Sequence, residues 1–258
     1  MKLSRRDTLK TIAAAGALQS TAAKAATSPR RVQNSPAIRL VVLDVGGTII
    51  EDRGDVPETL RSAMAEQGIT ATPAEISQWR GASKREIIRH FVERQAPGGD
   101  REKLATAIYQ DFSARLSEIY RTVPPIAGAE DAIRNLRQSG YLLATTTGFD
   151  RGITIPIFHR LGWEKYFVAI VCSDDVAQGR PAPFMLFHAM ESARVNSVAE
   201  VMAVGDTPLD LQAGSNAGLR AVVGVLSGAS RAELLQPEPH THILPSVADL
   251  PALLRSKV

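Results

Sequence analysis

The sequence predicts an α/β protein, a doubly wound parallel sheet with an inserted set of helices. Three observations predict it. From Ile38 onward, short apolar runs alternate with amphipathic stretches. Residues 55–125 interrupt that rhythm with helical patterns alone. Polar residues recur where the apolar runs end: Asp44, Thr147-Gly148, Asp174-Asp175 and Asp206. In open parallel sheets the carboxyl edge is where ligands bind, so this repetition is a functional signal as well as a structural one.

The strand-like runs cover 38–43, 141–146, 167–171, 200–204, 220–225 and 241–244. Helical spacing follows near 128–138, 152–161, 182–194, 207–217 and 246–254. Strand, helix, strand at this interval argues for a parallel sheet with helices on both faces. The interruption holds helical patterns near 57–67, 73–79, 83–95 and 101–121, punctuated by Gly68, Pro73, Gly81 and "APGG" at 96–99. Pro124-Pro125 closes it, a boundary signal because a residue before proline avoids the helical region. The expected organisation is a core of 38–54 and 126–258 with an all-helical cap, 55–125, on the side where the first strand delivers Asp44.

A chain of 258 residues, 44% hydrophobic and 22% charged, is long enough to bury one core with a sizeable insertion. The net charge is +3, but residues 1–25 hold five basic residues (Lys2, Arg5, Arg6, Lys10, Lys24) against Asp7. The remainder is close to neutral, which removes any charge-based argument for nucleic-acid binding. The opening "MKLSRRDTLKTIAAAGALQSTAAKAATS" has a basic start, an Ala-rich apolar middle and small residues at Ala23-Lys24-Ala25. It reads as a signal peptide over 1–26, with "SRRDTLK" resembling the twin-arginine type, followed by a linker over 27–37. The expected location is periplasmic or otherwise exported, with the export machinery as the leader's partner; without a working leader the protein stays cytoplasmic. The apolar run is too short for a stable membrane span. Cys172 is the only cysteine, so no intramolecular disulfide forms. Nothing in the sequence specifies an oligomeric state, and a homodimer is allowed.

Asp44, "TTTG" at 145–148, Arg180 and "GDTPLD" at 205–210 together resemble the haloacid dehalogenase-like hydrolase superfamily, over about residues 38–250 and in the expected order. The resemblance implies a Rossmann-like core with a helical cap between the first and second motifs. Within the superfamily the likeness is to the phosphonoacetaldehyde hydrolase, or phosphonatase-like, subgroup. "LDVGGTIIEDRG", "WRGASKREII", "TTTGFDR", "DDVAQGRPAPFM" and "VGDTPLDLQAG" carry it.

Each motif then has a mechanical role. Asp44 is the expected nucleophile for in-line attack on phosphorus, giving an acyl-phosphate. Gly47 and Thr48 permit a turn whose backbone N–H groups approach anionic oxygens. Thr147 and Gly148 offer a hydroxyl and an unobstructed amide to a phosphoryl oxygen, with Thr145 and Thr146 as competitors. Arg180, just before Pro181 and expected in a helix's first turn, is a fixed cation for the phosphate and for Asp44. Asp206 and Asp210 stand four apart, expected on one helix face. Such carboxylates beside Asp44 repel unless a cation joins them, and hard Mg²⁺ prefers oxygen ligands. The expected ligands are Asp44, the backbone carbonyl of Gly46, Asp206 and Asp210, the last directly or through water. Asp174 and Asp175 are candidates to assist behind them.

Gly46 departs from the larger group of phosphatases, which carry a second aspartate there to protonate the leaving oxygen and later activate water, work worth about 10²–10⁴-fold. The phosphonoacetaldehyde hydrolases have a small residue there. In them a cap lysine converts the aldehyde to an iminium ion, so the leaving group departs through carbon. Lys84 in "GASK" matches that lysine, and the neighbouring Arg80 and Arg85 are candidates to lower its pKa. Where the subgroup has a methionine, a histidine and a tyrosine, this chain has Arg80, Ile87 and Phe149; Arg80 is thereby a candidate to bind a second anionic group. Trp79 and Trp163 read as packing residues. The reading is a Mg²⁺-dependent hydrolase of a small phosphonate or phosphate ester. Its alternatives are a phosphoglycolate-type phosphomonoesterase, a haloacid dehalogenase acting on carbon, and a non-catalytic binder of phosphometabolites.

Overall fold

The computed structural model describes residues 37–96 and 98–256. The expected leader, 1–26, and nearly all of the linker, 27–37, lie outside the described residues. The chain begins with β1 (Leu40–Asp44) and then runs through four helices, α1 (Asp55–Glu66), α2 (Pro73–Ser77), α3 (Lys84–Gln95) and α4 (Arg101–Tyr120). It continues with α5 (Ala129–Gln138), β2 (Leu142–Thr146), α6 (Arg151–Leu161), β3 (Ala169–Val171) and α7 (Phe184–Ala193). Then come β4 (Val201–Gly205), α8 (Pro208–Asn216), β5 (Ala221–Val225), α9 (Ala232–Leu235), β6 (His242–Leu244) and α10 (Leu250–Arg255).

The six strands form one parallel sheet in the order β3-β2-β1-β4-β5-β6. β1 lies inside it, and all five of its residues are buried. Because side chains alternate across a strand, Val41 and Leu43 join the core under α5, α6 and α10, while Leu40 and Val42 pack with Met185, Leu186 and Leu211 of α7 and α8. Burial on both faces explains why the strands read as continuous apolar runs.

Local chemistry sets the helix ends. Asp150 caps α6 by accepting from the Ile153 amide, and Gly162 closes it in the left-handed region at φ 64°. Thr72 and Glu75 form a capping box on α2, as do Thr207 and Asp210 on α8. Among the described residues no strand falls between α1 and α4. The two chain crossings that bound this helical segment run side by side: the Glu51 amide donates to Pro124 O at 3.0 Å, and the Ile126 amide to Ile49 O at 3.1 Å. α4 packs along α1 and α3, burying Ile108, Phe112 and Leu116. Among the described residues no helix is long and apolar enough to cross a membrane.

Candidate active site

The strand order puts the carboxyl ends of β1, β2 and β4 side by side, and with them the polar residues that end those strands. Asp44 closes β1, paired with Thr146 at the end of β2. Asp206 follows β4 directly, and Asp210 lies in the first turn of α8. Asp206 and Asp210 do not share a helix face as their spacing suggested. Asp206 precedes the helix, Thr207 is its cap, and the chain's turn brings both carboxylates to Asp44. One carboxylate oxygen from each of the three can be chosen so that all lie within 4.8 Å of one another.

Arg180 binds this cluster. Its Nη2 donates to Asp44 Oδ1 at 2.6 Å, to Thr146 O at 2.9 Å and to Thr146 Oγ1 at 3.1 Å; Nη1 lies 2.7 Å from Asp210 Oδ1. It stands in the loop ahead of α7, not in the helix's first turn, and is itself buried. Asp210 Oδ2 accepts from the Thr207 amide at 3.0 Å and its hydroxyl at 2.5 Å. Asp210 is therefore held from both sides.

Burial pushes the Asp44 carboxyl up to about 7, with Arg180 opposing and Asp210 adding to the rise. Burial also raises Asp206 well above the ordinary range, reinforced by Asp44 and Asp210. Asp206 Oδ2 accepts from the Ala229 amide at 2.7 Å, but Oδ1 is buried with no partner. Two glycines make room for this carboxylate. A Cβ on Gly47, at φ +80°, would stand 2.4 Å from Asp206 Oδ2, and one on Gly228 would stand 2.0 Å from it. An orphaned carboxylate oxygen among crowded acids is a poor arrangement without a cation and a good one with it. The acidic cluster therefore fits a metal ion.

A cleft with about 630 Å³ of empty space, part of it open to solvent, rises from Asp44 and Asp206. Thr147, Gly148, Phe149 and Arg180 line it from the sheet side, and Lys84, Arg80 and Gly81 from the helical side. Of the three threonines only Thr147 reaches the cleft; Thr146 serves Arg180, and the Thr145 hydroxyl is buried without a partner. Gly47 and Thr48 do not line it. Gly47 lies against Asp206, and Thr48 is fully buried. Gly46 does line it.

Lys84 opens α3 and is buried. Its Nζ donates to Ala82 O at 2.8 Å and lies 5.2 Å from the centre of the Phe149 ring. A Cβ on Gly148 would press on Ala82 O at 2.7 Å and on Lys84 Nζ at 3.0 Å, so the glycine lets the lysine approach the sheet edge. Burial lowers Lys84 from 10.5 to about 8, and the next contribution is the Arg180 charge. The expected helpers, Arg80 and Arg85, are engaged elsewhere. Arg80 Nη1 donates to Asp52 at 3.3 Å; Arg85 lies 3.7 Å from Asp150 and stacks on Tyr109.

Trp79 packs against the core as expected and also lines the cleft. Asp174 and Asp175 turn away to Arg151: Asp174 accepts from its amide at 3.0 Å, and Asp175 from its guanidinium at 2.5 Å. The sequence reading passed over Asp52, Tyr120 and Thr207, all of which line the cleft.

The haloacid dehalogenase-like hydrolase family matches residues 41–224, most of the chain. The chain belongs to that family. It is 26% identical over 234 residues to the phosphonoacetaldehyde hydrolase of Bacillus cytotoxicus, covering 85% of this chain and 88% of that one. It is 27% identical over 227 residues to the phosphoglycolate phosphatase of Agrobacterium fabrum, covering 86% and 95%. A solved phosphonoacetaldehyde hydrolase-like protein from Oleispira antarctica superposes with a TM-score of 0.75 at 21% identity, covering 86% and 93%. At that identity the likeness is one of fold, and it places the parallel six-stranded sheet in the family's architecture. The chain is a hydrolase.

Proposed function

We propose that the chain is a Mg²⁺-dependent, phosphonatase-like hydrolase that cleaves a small phosphonate or phosphate ester through an aspartyl-phosphate. The observation that carries this reading is the convergence of Asp44, Asp206 and Asp210 around Arg180 at the sheet edge, facing a cleft that also holds Lys84. An Asp44 carboxylate oxygen attacks phosphorus, and the bond from phosphorus to the leaving group breaks with its electron pair. Water then attacks the acyl-phosphate, releasing phosphate and restoring Asp44. Arg180 aims the nucleophile by fixing one of its oxygens. Thr147 and the Gly148 amide receive phosphoryl oxygens in this reading, which their place in the cleft lining supports. Asp44, the Gly46 carbonyl and Asp206 would hold Mg²⁺, with Asp210 behind Arg180. When bound, the ion supplies positive charge against the phosphoryl oxygens.

Lys84 and Gly46 favour carbon–phosphorus cleavage. A buried amine held at about 8 reaches its neutral, nucleophilic form more readily than a solvated lysine. In that route Lys84 condenses with a substrate aldehyde, losing water, and the iminium accepts the electrons of the breaking bond. A phosphomonoesterase is the second reading, with the Lys84 ammonium as proton donor to the leaving oxygen. Ile87, apolar and facing the cleft where the subgroup has a histidine, favours it.

Both routes pass through Asp44. Replacing Asp44 with Asn is expected to abolish turnover and the rapid-quench phosphoenzyme across a panel of small phosphonates and phosphate monoesters with Mg²⁺. Full turnover by that variant would remove Asp44 as nucleophile.

A further inference from the structure

Above the sheet edge the cleft has a second polar patch that the phosphoryl chemistry leaves unused. Tyr120, the last residue of α4, is 2% exposed and lines the cleft with its ring edge-on to Phe149, 5.5 Å between centroids. Its hydroxyl is buried and has no hydrogen-bond partner. A buried hydroxyl is costly to leave unpaired, and the exceptions in native proteins call for a reason. Burial, with the carboxylates of Asp52, Asp55 and Asp44 adding to it, holds the phenol protonated. It is a donor waiting for an acceptor.

Asp52 and Arg80 line the same cleft. Asp52 Oδ1 accepts from the Gly54 amide at 2.8 Å, and Oδ2 from Arg80 Nη1 at 3.3 Å. Arg80, the expected candidate for a second anionic group, is paired with Asp52 in this cleft. A carboxylate arriving beside Tyr120 would face Asp52 across a partly buried space. An uncharged oxygen would accept from Tyr120 without that repulsion, and a hydroxyl could also donate to Asp52. Val56, Leu60 and Ile76 complete that part of the wall.

We propose that Tyr120 and the Asp52–Arg80 pair form a subsite for an uncharged oxygen, carbonyl or hydroxyl, on the substrate's departing organic group, and that they disfavour a carboxylate there. The proposal rests on the hydrolase reading above but is tested by binding alone. In an Asp44→Asn background, which binds without turning over, Kd is measured with Mg²⁺ for ethyl phosphate, 2-hydroxyethyl phosphate, which has no aldehyde to condense with Lys84, and 2-phosphoglycolate. 2-Hydroxyethyl phosphate is expected to bind about tenfold tighter than ethyl phosphate, the worth of one well-placed hydrogen bond. Tyr120→Phe, which keeps the ring, is expected to erase that preference, and Asp52→Asn to improve 2-phosphoglycolate selectively. Equal affinity for the three ligands, no binding of any, tightest binding of 2-phosphoglycolate, or parallel loss of all three in Tyr120→Phe would overturn the subsite. Turnover surviving Asp44→Asn would instead count against the hydrolase reading, so the two failures are separately visible.

Discussion

The two walls of the cleft are built on opposite principles. At the sheet edge the charged groups hold one another: Arg180 grips Asp44 and Asp210, and Thr207 grips Asp210 again. On the helical side the wall is mainly apolar, and its polar groups are sparse and loosely met, with Lys84 on a backbone carbonyl and the Tyr120 hydroxyl on nothing. A mutually determined cluster preorganises one chemical step, because its groups cannot reorient without breaking several bonds. A loosely determined wall can change its residues without disturbing that step. On the proposed function, this difference assigns the nucleophilic step to the sheet edge and the choice of leaving group to the helices.

The sharpest way to break this comparison is at Arg180. Replacing it with Gln leaves buried carboxylates without their cation. We expect kcat to fall about 10²–10³-fold, as for loss of a preorganised electrostatic partner. Urea unfolding should show a loss of about 3 kcal/mol, the cost of breaking a buried pair from one side. A loss of activity under fivefold would mean the sheet edge does not depend on its mutual contacts.

How far the sequence could be read follows the same division. Strand positions were legible because both faces of the sheet are buried, leaving uninterrupted apolar runs such as "LVVLD" and "VMAVG". Asp44, Thr147 and Gly148 were legible because each sits where such a run stops. The geometry of Asp206 and Asp210 was not, since a four-residue spacing describes one helix face only when both residues lie in the helix. Here Thr207 caps α8 between them. The charge that lowers Lys84 belongs to Arg180, remote in sequence, rather than to its neighbours Arg80 and Arg85. Tyr120 closes an amphipathic helix in the pattern of a core aromatic, and only the fold brings it to the cleft's lining. Asp52 lies near the end of the stretch "LDVGGTIIEDRG" with nothing local to mark it, and its partner comes from a different segment.

Lys84 tests the helical wall. Its folded pKa, about 8, lies below the ordinary 10.5, so the folded state holds fewer protons between those values. Stability therefore rises as pH climbs from about 8 to about 10.5; below 8 the full cost of burying the charge applies. That cost is on the order of 3 kcal/mol, partly offset by the bond to Ala82 O. Lys84→Met should thus raise stability at pH 7 by about 1–3 kcal/mol, a gain that vanishes near pH 10.5, while activity falls. Urea melts at both pH values check this. Equal or lower stability at pH 7 would show that the lysine is not held against its solvation. The native enzyme's pH–rate profile then separates the two routes: imine formation needs the neutral amine, so its rate rises through about 8, whereas an ammonium donor's rate falls through about 8.

The smallest expected effect tests whether the walls can exchange duties. Gly46 is not among the glycines with positive φ, and a Cβ there would meet the Phe149 ring at 3.6 Å, an ordinary contact. An aspartate at this position therefore costs no backbone strain. It would stand two residues from Asp44 on the lip of the cleft, where burial and like charges keep a carboxyl protonated and able to donate. Gly46→Asp should raise turnover of phosphate monoesters about tenfold, below the about 10²–10⁴-fold of a fully evolved acid, because neither Phe149 nor Lys84 is arranged to orient it. Cleavage through a Lys84 imine should gain nothing, since no oxygen leaves. Steady-state kinetics on a matched phosphonate and phosphate ester measures both arms. Equal gains on the two substrates would mean that the new acid acts on the water step common to both. The helical wall would then not be what selects the leaving group.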